Sequence, residues 1–136
     1  MSFEEIPHTA DVRIHARAPT LEGLFADAFE ALMLTEYGKD RKADGRTDRV
    51  ALASPDTESL LADFLSEVLY LSEVEGRVFS RARIAILGND LTAELEGEAF
   101  DPSRHAAGTE VKGISYSGLS VTRDANGYML DIIFDV

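Results

Sequence analysis

The chain contains no cysteine, which excludes disulfides, thiolate metal sites and cysteine nucleophiles in one step. Basic residues are scarce: 13 Lys and Arg stand against 25 Asp and Glu, a net charge of −12. That balance opposes the phosphate-neutralising attraction behind most non-specific nucleic-acid affinity, so tight direct binding of RNA or DNA is not expected. Histidine is equally sparse, and His8, His15 and His105 are too scattered for a zinc motif. No apolar run approaches the length of a membrane span. The opening Met1-Ser2-Phe3-Glu4-Glu5 has neither the basic nor the apolar segment of a secretory signal. The expectation is a soluble, cytoplasmic protein. Two catalytic signatures are missing as well. Gly113-Ile114-Ser115-Tyr116-Ser117-Gly118 lacks the lysine of a phosphate loop and lies between strands rather than before a helix, and no nucleophile elbow or triad spacing stands out.

What the chain does have is a core. With 136 residues and 45% hydrophobic content, it fits one domain over 1–136 that buries about two thirds of its unfolded surface. Val12, Ile14, Ala16 and Ala18 alternate with Asp11, Arg13, His15 and Arg17, the period of a half-buried strand. Pro19 ends it and Thr20 can cap a helix carrying Leu21, Leu24, Phe25, Ala28, Phe29 and Leu32, with Gly38 at its exit. Residues 39–48 are charged and contain Asp44-Gly45, which predicts a mobile surface loop, followed by a short strand around Val50 and Leu52. Ser54-Pro55 reads as a cap with proline in the first turn of a longer helix, striped by Leu60, Leu61, Phe64, Leu65, Val68 and Leu69 and closing near Gly76. Strands are expected over 78–87, 91–100, 111–116, 119–123 and 128–136, with turns at Gly88-Asn89 and Asn126-Gly127 and a break at Asp101-Pro102. The order is βαβα followed by a run of antiparallel strands. It predicts an α+β fold: a mixed, largely antiparallel sheet with two helices packed on it.

The last strand is the most informative element. Tyr128, Leu130, Ile132, Phe134 and Val136 share one apolar face up to the final residue, whereas most termini fray. Asp135 and the carboxylate of Val136 are therefore expected to be held in a sheet. Asp11 and Asp135 both lie off the apolar faces of their strands, and a lone surface aspartate is ordinarily just solvated. If the first and last strands are neighbours, however, Asp11, Asp135 and the Val136 carboxylate converge. Each like-charge pair at about 4 Å then costs on the order of 4 kcal/mol at an effective dielectric near 20. A divalent cation offsets that cost, and oxygen-only ligands favour calcium, magnesium or manganese over zinc.

Other residues carry weaker signals. His8, after Pro7, reads as a ligand, a general base or a hydrogen-bonded turn residue. Lys112 shares strand parity with Ile114 and Tyr116, so it snorkels to water or pairs with Glu98 or Glu110. Glu94, Glu96 and Glu98 alternate as on a solvated face. Arg104-His105 reads as a surface loop or an anion contact.

Taken together, His8-Thr9-Ala10-Asp11-Val12 resembles the opening motif of the archease family. Residues 21–28 look like that family's first helix. Glu58-Ser59-Leu60-Leu61 with Phe64-Leu65-Ser66-Glu67-Val68-Leu69-Tyr70 looks like its second. Gly97-Glu98, Arg104-His105, Glu110-Val111-Lys112, Ser115-Tyr116 and the closing Asp135-Val136 follow in the family order. Ser117 is a departure, since family members often carry histidine there. The resemblance implies an accessory protein, not an enzyme, for the GTP- and manganese-dependent tRNA-splicing RNA ligase. In that role it promotes guanylylation of the ligase's histidine, supports turnover and widens nucleotide choice. It also implies that Asp11, Asp135 and Val136 hold a metal, typically calcium, with Lys112 functional and His8 and Glu98 nearby. A chaperone-like role toward an RNA-modifying methyltransferase is the runner-up, and a stand-alone metal-dependent phosphohydrolase is the third reading.

Overall fold

The alternation seen in the first and last strands is realised as antiparallel pairing between them. The computed structural model describes residues 11–136; His8 lies outside them. Strand β1 (Asp11–Ala18) leads through Pro19 to helix α1 (Leu21–Tyr37), where the Thr20 hydroxyl accepts the Gly23 N–H at 3.0 Å. This side-chain cap satisfies one of the helix's orphan amides. At the other end the Gly38 N–H donates to the Leu34 carbonyl. Strand β2 (Thr47–Ala53) and helix α2 (Thr57–Glu75) follow. The cap of α2 is Asp56 rather than Ser54: the Asp56 carboxylate accepts the Ser59 N–H at 2.8 Å, and the Ser54 hydroxyl donates to Asp63 at 2.6 Å instead. Pro55 therefore precedes the helix rather than opening it.

Strands β3 (Arg77–Leu87) and β4 (Asp90–Ala99) form a long hairpin, and a single-turn helix α3 (Pro102–His105) leads to β5 (Gly113–Asp124) and β6 (Gly127–Asp135). The two strands expected over 111–116 and 119–123 are one strand, β5, whose register with β6 jumps between Ser115 and Ser120. The α+β class is as expected. The strands divide into two three-stranded antiparallel sheets, ordered β1-β6-β5 and β2-β4-β3. Such a division follows from the chain order: the β3–β4 hairpin takes β2, and the β5–β6 hairpin takes β1.

The helices join the two sheets. Helix α1 packs on β1, β6 and β3, and α2 on β5, β2 and β3. They run parallel, with Phe25 stacked on Phe64 at 6.2 Å near their starts and the Tyr37 hydroxyl bonded to Ser72 near their ends. Ser72 in turn donates to the Arg77 carbonyl at 2.6 Å, so this buried polar chain is satisfied link by link. One cluster of buried side chains, including Phe25, Phe29, Phe64, Phe79 and Phe134, draws on both helices and both sheets. No helix among the described residues is long and apolar enough to cross a membrane.

The charged stretch before β2 is pinned rather than loose. Arg77, 3% exposed, donates to Asp44 at 2.8 Å, Asp48 at 3.2 Å and the Arg46 carbonyl at 3.2 Å. That bond holds the Asp44 carboxyl below the usual carboxylate range. Arg41 donates to the Gly38 and Phe79 carbonyls and pairs with Glu30. A buried guanidinium needs such partners for nearly all its donors, and the loop supplies them. Close backbone approach matters at Gly97, where a Cβ would lie 2.2 Å from the Val78 carbonyl oxygen and 2.7 Å from Phe79 Cα. Gly97→Ala is expected to destabilise the fold by about 1–3 kcal/mol through overpacking. Gly113→Ala, with nothing within 4 Å of its Cβ, should stay within about 0.5 kcal/mol of wild type. Urea unfolding of both variants checks the pair.

Candidate functional site

The β1–β6 register sets Asp11 directly opposite Asp135, and β5 places Gly113 on the other flank of Asp135. Directly opposed residues project from the same face of an antiparallel sheet, with Cβ atoms about 5 Å apart. The two carboxylates thus share the outer, solvent-facing side of this sheet at its end. The next residues along β1 on that face are Arg13 and then His15, whose ring bonds Asp131 at 2.9 Å. Val12, Ile14, Phe134 and Val136 belong to the opposite face and pack against the core. The expectation that the first and last strands are neighbours is met.

Hard oxygen donors at this spot fit a divalent cation in kind. Two like charges stand side by side, and neither carboxylate has an ion-pair partner among the described residues. They do not make a complete set: no three His, Asp or Glu side chains gather in a metal-holding group among the described residues. A cation at this place would need further oxygens from the main chain, from Val136 or from water, as calcium commonly takes.

Lys112 reaches the same place by another route. Its backbone N–H donates to the Asp135 carbonyl at 2.6 Å, its side chain is exposed, and it forms no ion pair with Glu98 or Glu110 among the described residues. The strap that delivers it, residues 106–112, is fastened along the C-terminal end of α1. Gly108 lies so close that a Cβ would sit 2.2 Å from the Glu36 carbonyl oxygen. The Thr109 N–H donates to the Thr35 carbonyl at 2.8 Å, filling one of the acceptors that a helix end leaves open. The Val111 N–H donates to the Glu36 carboxylate at 2.9 Å, and the Val111 side chain is wholly buried.

Behind the strap is a second polar cluster. Glu98 receives both ends of the Arg104 guanidinium, at 2.6 and 2.9 Å, and also accepts the Lys42 N–H at 2.9 Å. His105 is buried, with Nδ1 accepting the Asp101 N–H at 2.9 Å. That assignment puts the ring proton on Nε2, which donates to Glu98 at 3.0 Å. The Arg104 fork, helped by Lys42 and His105, holds the Glu98 carboxyl down at about 2. Arg104 is raised above its ordinary value by the same bond. Arg104-His105 is therefore a lock that fixes α3 to β4, with its donors directed at the protein's own carboxylates.

The profile of the archease protein family matches residues 3–136. The chain belongs to the archease family. Protein archease of Methanosarcina barkeri is 36% identical over 140 residues, covering 98% of this chain and 95% of its own length. That of Pyrococcus furiosus is 34% identical over 143 residues, with 98% of each covered. The solution structure of Methanobacterium thermoautotrophicum protein 1598 superposes with a TM-score of 0.75 over 94% of each chain at 23% identity. An archease crystal structure from Thermotoga maritima, titled a possible chaperone, gives 0.68 at 23% identity over 100% of this chain and 98% of its own. At that identity the two structures speak for the fold.

Within this archease the structure brings together Asp11, Asp135, Val136 and Lys112, and assigns Glu98 to the lock behind them. Ser117 sits in the bulged part of β5, where its N–H donates to the Ser115 hydroxyl at 3.1 Å. Glu36 escaped the sequence reading. Its one signal was a carboxylate in the last turn of a helix with no basic residue there, which the helix dipole disfavours. The Glu98 lock has a pH signature. Its folded pKa of about 2 lies below the ordinary 4.5, so the stabilisation is present above pH 4.5 and is lost as pH falls toward 2. The melting temperature of wild type is expected to fall more steeply over that window than that of Glu98→Gln, as thermal scans at stepped pH would read.

Proposed function

We propose that this archease activates the GTP-dependent tRNA-splicing RNA ligase, promoting guanylylation of the ligase's histidine, supporting its turnover and widening the nucleotides it accepts. The observation that carries the reading is the row at the end of the β1-β6-β5 sheet. Asp11 and Asp135 face each other there, and Lys112 is tied to the Asp135 carbonyl. Family membership supports an archease role in general, and the row offers groups suited to this one.

In this reading Asp11, Asp135 and the Val136 carboxylate hold a divalent cation, calcium first, with magnesium or manganese as the other oxygen-loving choices. Such an ion supplies a positive centre complementary to phosphate oxygens. The chain's own residues do the rest. The paired strands keep the two aspartates in register, the strap holds Lys112 at their side, and the exposed ammonium is free to meet an anionic group on the partner. The net charge of −12 suits docking on a protein surface built to bind RNA, which is itself cationic. His8 is carried over as a neighbour of this site on the family resemblance alone.

A second reading has one observation in its favour, the description of the Thermotoga maritima archease as a possible chaperone. It has the chain act as a chaperone or modulator of an RNA-modifying methyltransferase. That reading predicts that the chain changes the solubility or site choice of the methyltransferase and leaves ligase guanylylation untouched. The stand-alone phosphohydrolase reading predicts nucleotide turnover by the purified chain. The proposal here is of an accessory protein with no turnover of its own.

Two measurements test the proposal. Under single-turnover conditions with the ligase, Asp135→Ala should lower stimulated guanylylation by about tenfold or more, in the range that loss of a metal-supporting group costs. Unchanged guanylylation removes the site from the mechanism. In thermal melts, a cation bound only to the native state stabilises by about 2.7 kcal/mol at a hundredfold excess over Kd. Calcium should therefore raise the wild-type melting temperature over chelator, and Asp135→Ala or a peptide tag fused after Val136 should abolish the rise.

A further inference from the structure

Glu36 sits where every general electrostatic effect opposes it. It occupies the last turn of α1, at the negative end of the helix dipole, in a turn without a basic residue. Burial pushes its carboxyl above the ordinary carboxylate value, and repulsion from Glu73 and Glu110 adds to the rise. No cationic side chain pairs with it among the described residues. A half-buried glutamate in such a setting works against folding, and an aliphatic or amide side chain would relieve the repulsion.

The one hydrogen bond that its carboxylate makes among the described residues points to the site. It accepts the Val111 N–H at 2.9 Å. The following residue is Lys112, whose own N–H bonds the Asp135 carbonyl at 2.6 Å. On the other side of Val111 the strap is tied down by Thr109 on Thr35 and by the close seat of Gly108 on the Glu36 carbonyl. Those ties fix the beginning of the strap. The Glu36 side chain fixes its end.

We infer that Glu36 is a positioning residue: by holding the Val111 amide, it sets Lys112 beside Asp135 and so completes the row that acts on the partner. This inference rests on the ligase-activation reading above. The acceptor oxygen is the working group, so glutamine, of the same length and with an amide oxygen, serves in its place. Alanine does not, and aspartate is a methylene short.

The full chain, with the ligase, provides the test. Exchange of the Val111 and Lys112 amides is followed by NMR in wild type, Glu36→Ala and Glu36→Gln, beside single-turnover guanylylation. In Glu36→Ala, exchange of both amides should rise by about tenfold, the scale of one lost hydrogen bond. Stimulated guanylylation should fall by about tenfold or more, as expected for a misplaced functional group. The melting temperature should hold or rise, because a repelled carboxylate is gone. Glu36→Gln should rescue both exchange and guanylylation to within about threefold of wild type, allowing for a neutral rather than charge-assisted bond. Equal losses in the alanine and glutamine chains, with exchange unchanged, would overturn the inference in favour of a role for the charge itself. Wild-type stimulation alongside an equally active Glu36→Ala chain would overturn the role of Glu36 alone. A wild-type chain without effect on the ligase would overturn the activation reading from which it starts.

Discussion

The pairing of β1 with β6 is the constraint on which the rest depends. It joins residues from opposite ends of the described chain, Asp11 to Asp135 and Ala18 to Tyr128, and so closes the longest loop among the described residues. Loop closure over such a span is slow to form but grows only logarithmically in cost. The apolar face of the two strands repays it by packing on α1. A register slip of one residue would send Phe134 and Ile132 outward and turn Asp135 toward the core. The same burial that stabilises the sheet therefore also fixes which side of it carries the two aspartates.

Ionic interactions in this protein divide between holding loops and facing solvent. Arg77, Arg41 and Arg104 are each surrounded by carboxylates and carbonyls of neighbouring segments. Each fastens a stretch with little apolar content of its own. By contrast, the ladder of Arg49, Glu94 and Arg83 on the outer face of the β2-β4-β3 sheet is open to water, where such pairs contribute little. Buried pairs of this kind are weak evidence for added stability, but removing one partner leaves a costly orphan. Their value here is geometric: they keep residues 39–46 and α3 in one place, and the strap to Lys112 starts from α3.

An accessory protein can act without chemistry of its own if it presents a few groups in a fixed arrangement to a partner. The end of the β1-β6-β5 sheet is suited to that. Its carboxylates and its lysine are mounted on paired strands and on a strap bonded to a helix end, which are rigid supports for a site. On the proposed ligase-activation reading, the excess of acidic side chains elsewhere would favour encounter with a cationic protein surface over binding of nucleic acid itself.

Much of this was legible beforehand because it is encoded locally. Period-two alternation marked β1 and β6, runs bounded by turn residues marked β2, β3 and β4 within a few residues, and the helical stripe with Thr20 and Gly38 marked α1. The parity of Asp11 and Asp135 put both off the buried faces before their pairing was known. Other features needed the tertiary structure. The loop after α1 looks mobile by composition, but its ties come from Arg77 and Gly97, more than 30 residues away. The bulge that unites two apparent strands into β5 depends on the partner strand it must match. Glu36 gained its meaning only when the strap crossed the end of its helix. The sequence alone determined which apolar residues line the core and where the chain turns, since those choices rest on side-chain period and backbone preference, whereas the burial of Arg77 and His105 came from distant partners. Only the tertiary structure decided which distant backbones meet, because hydrogen-bond partners across a fold carry no local signal.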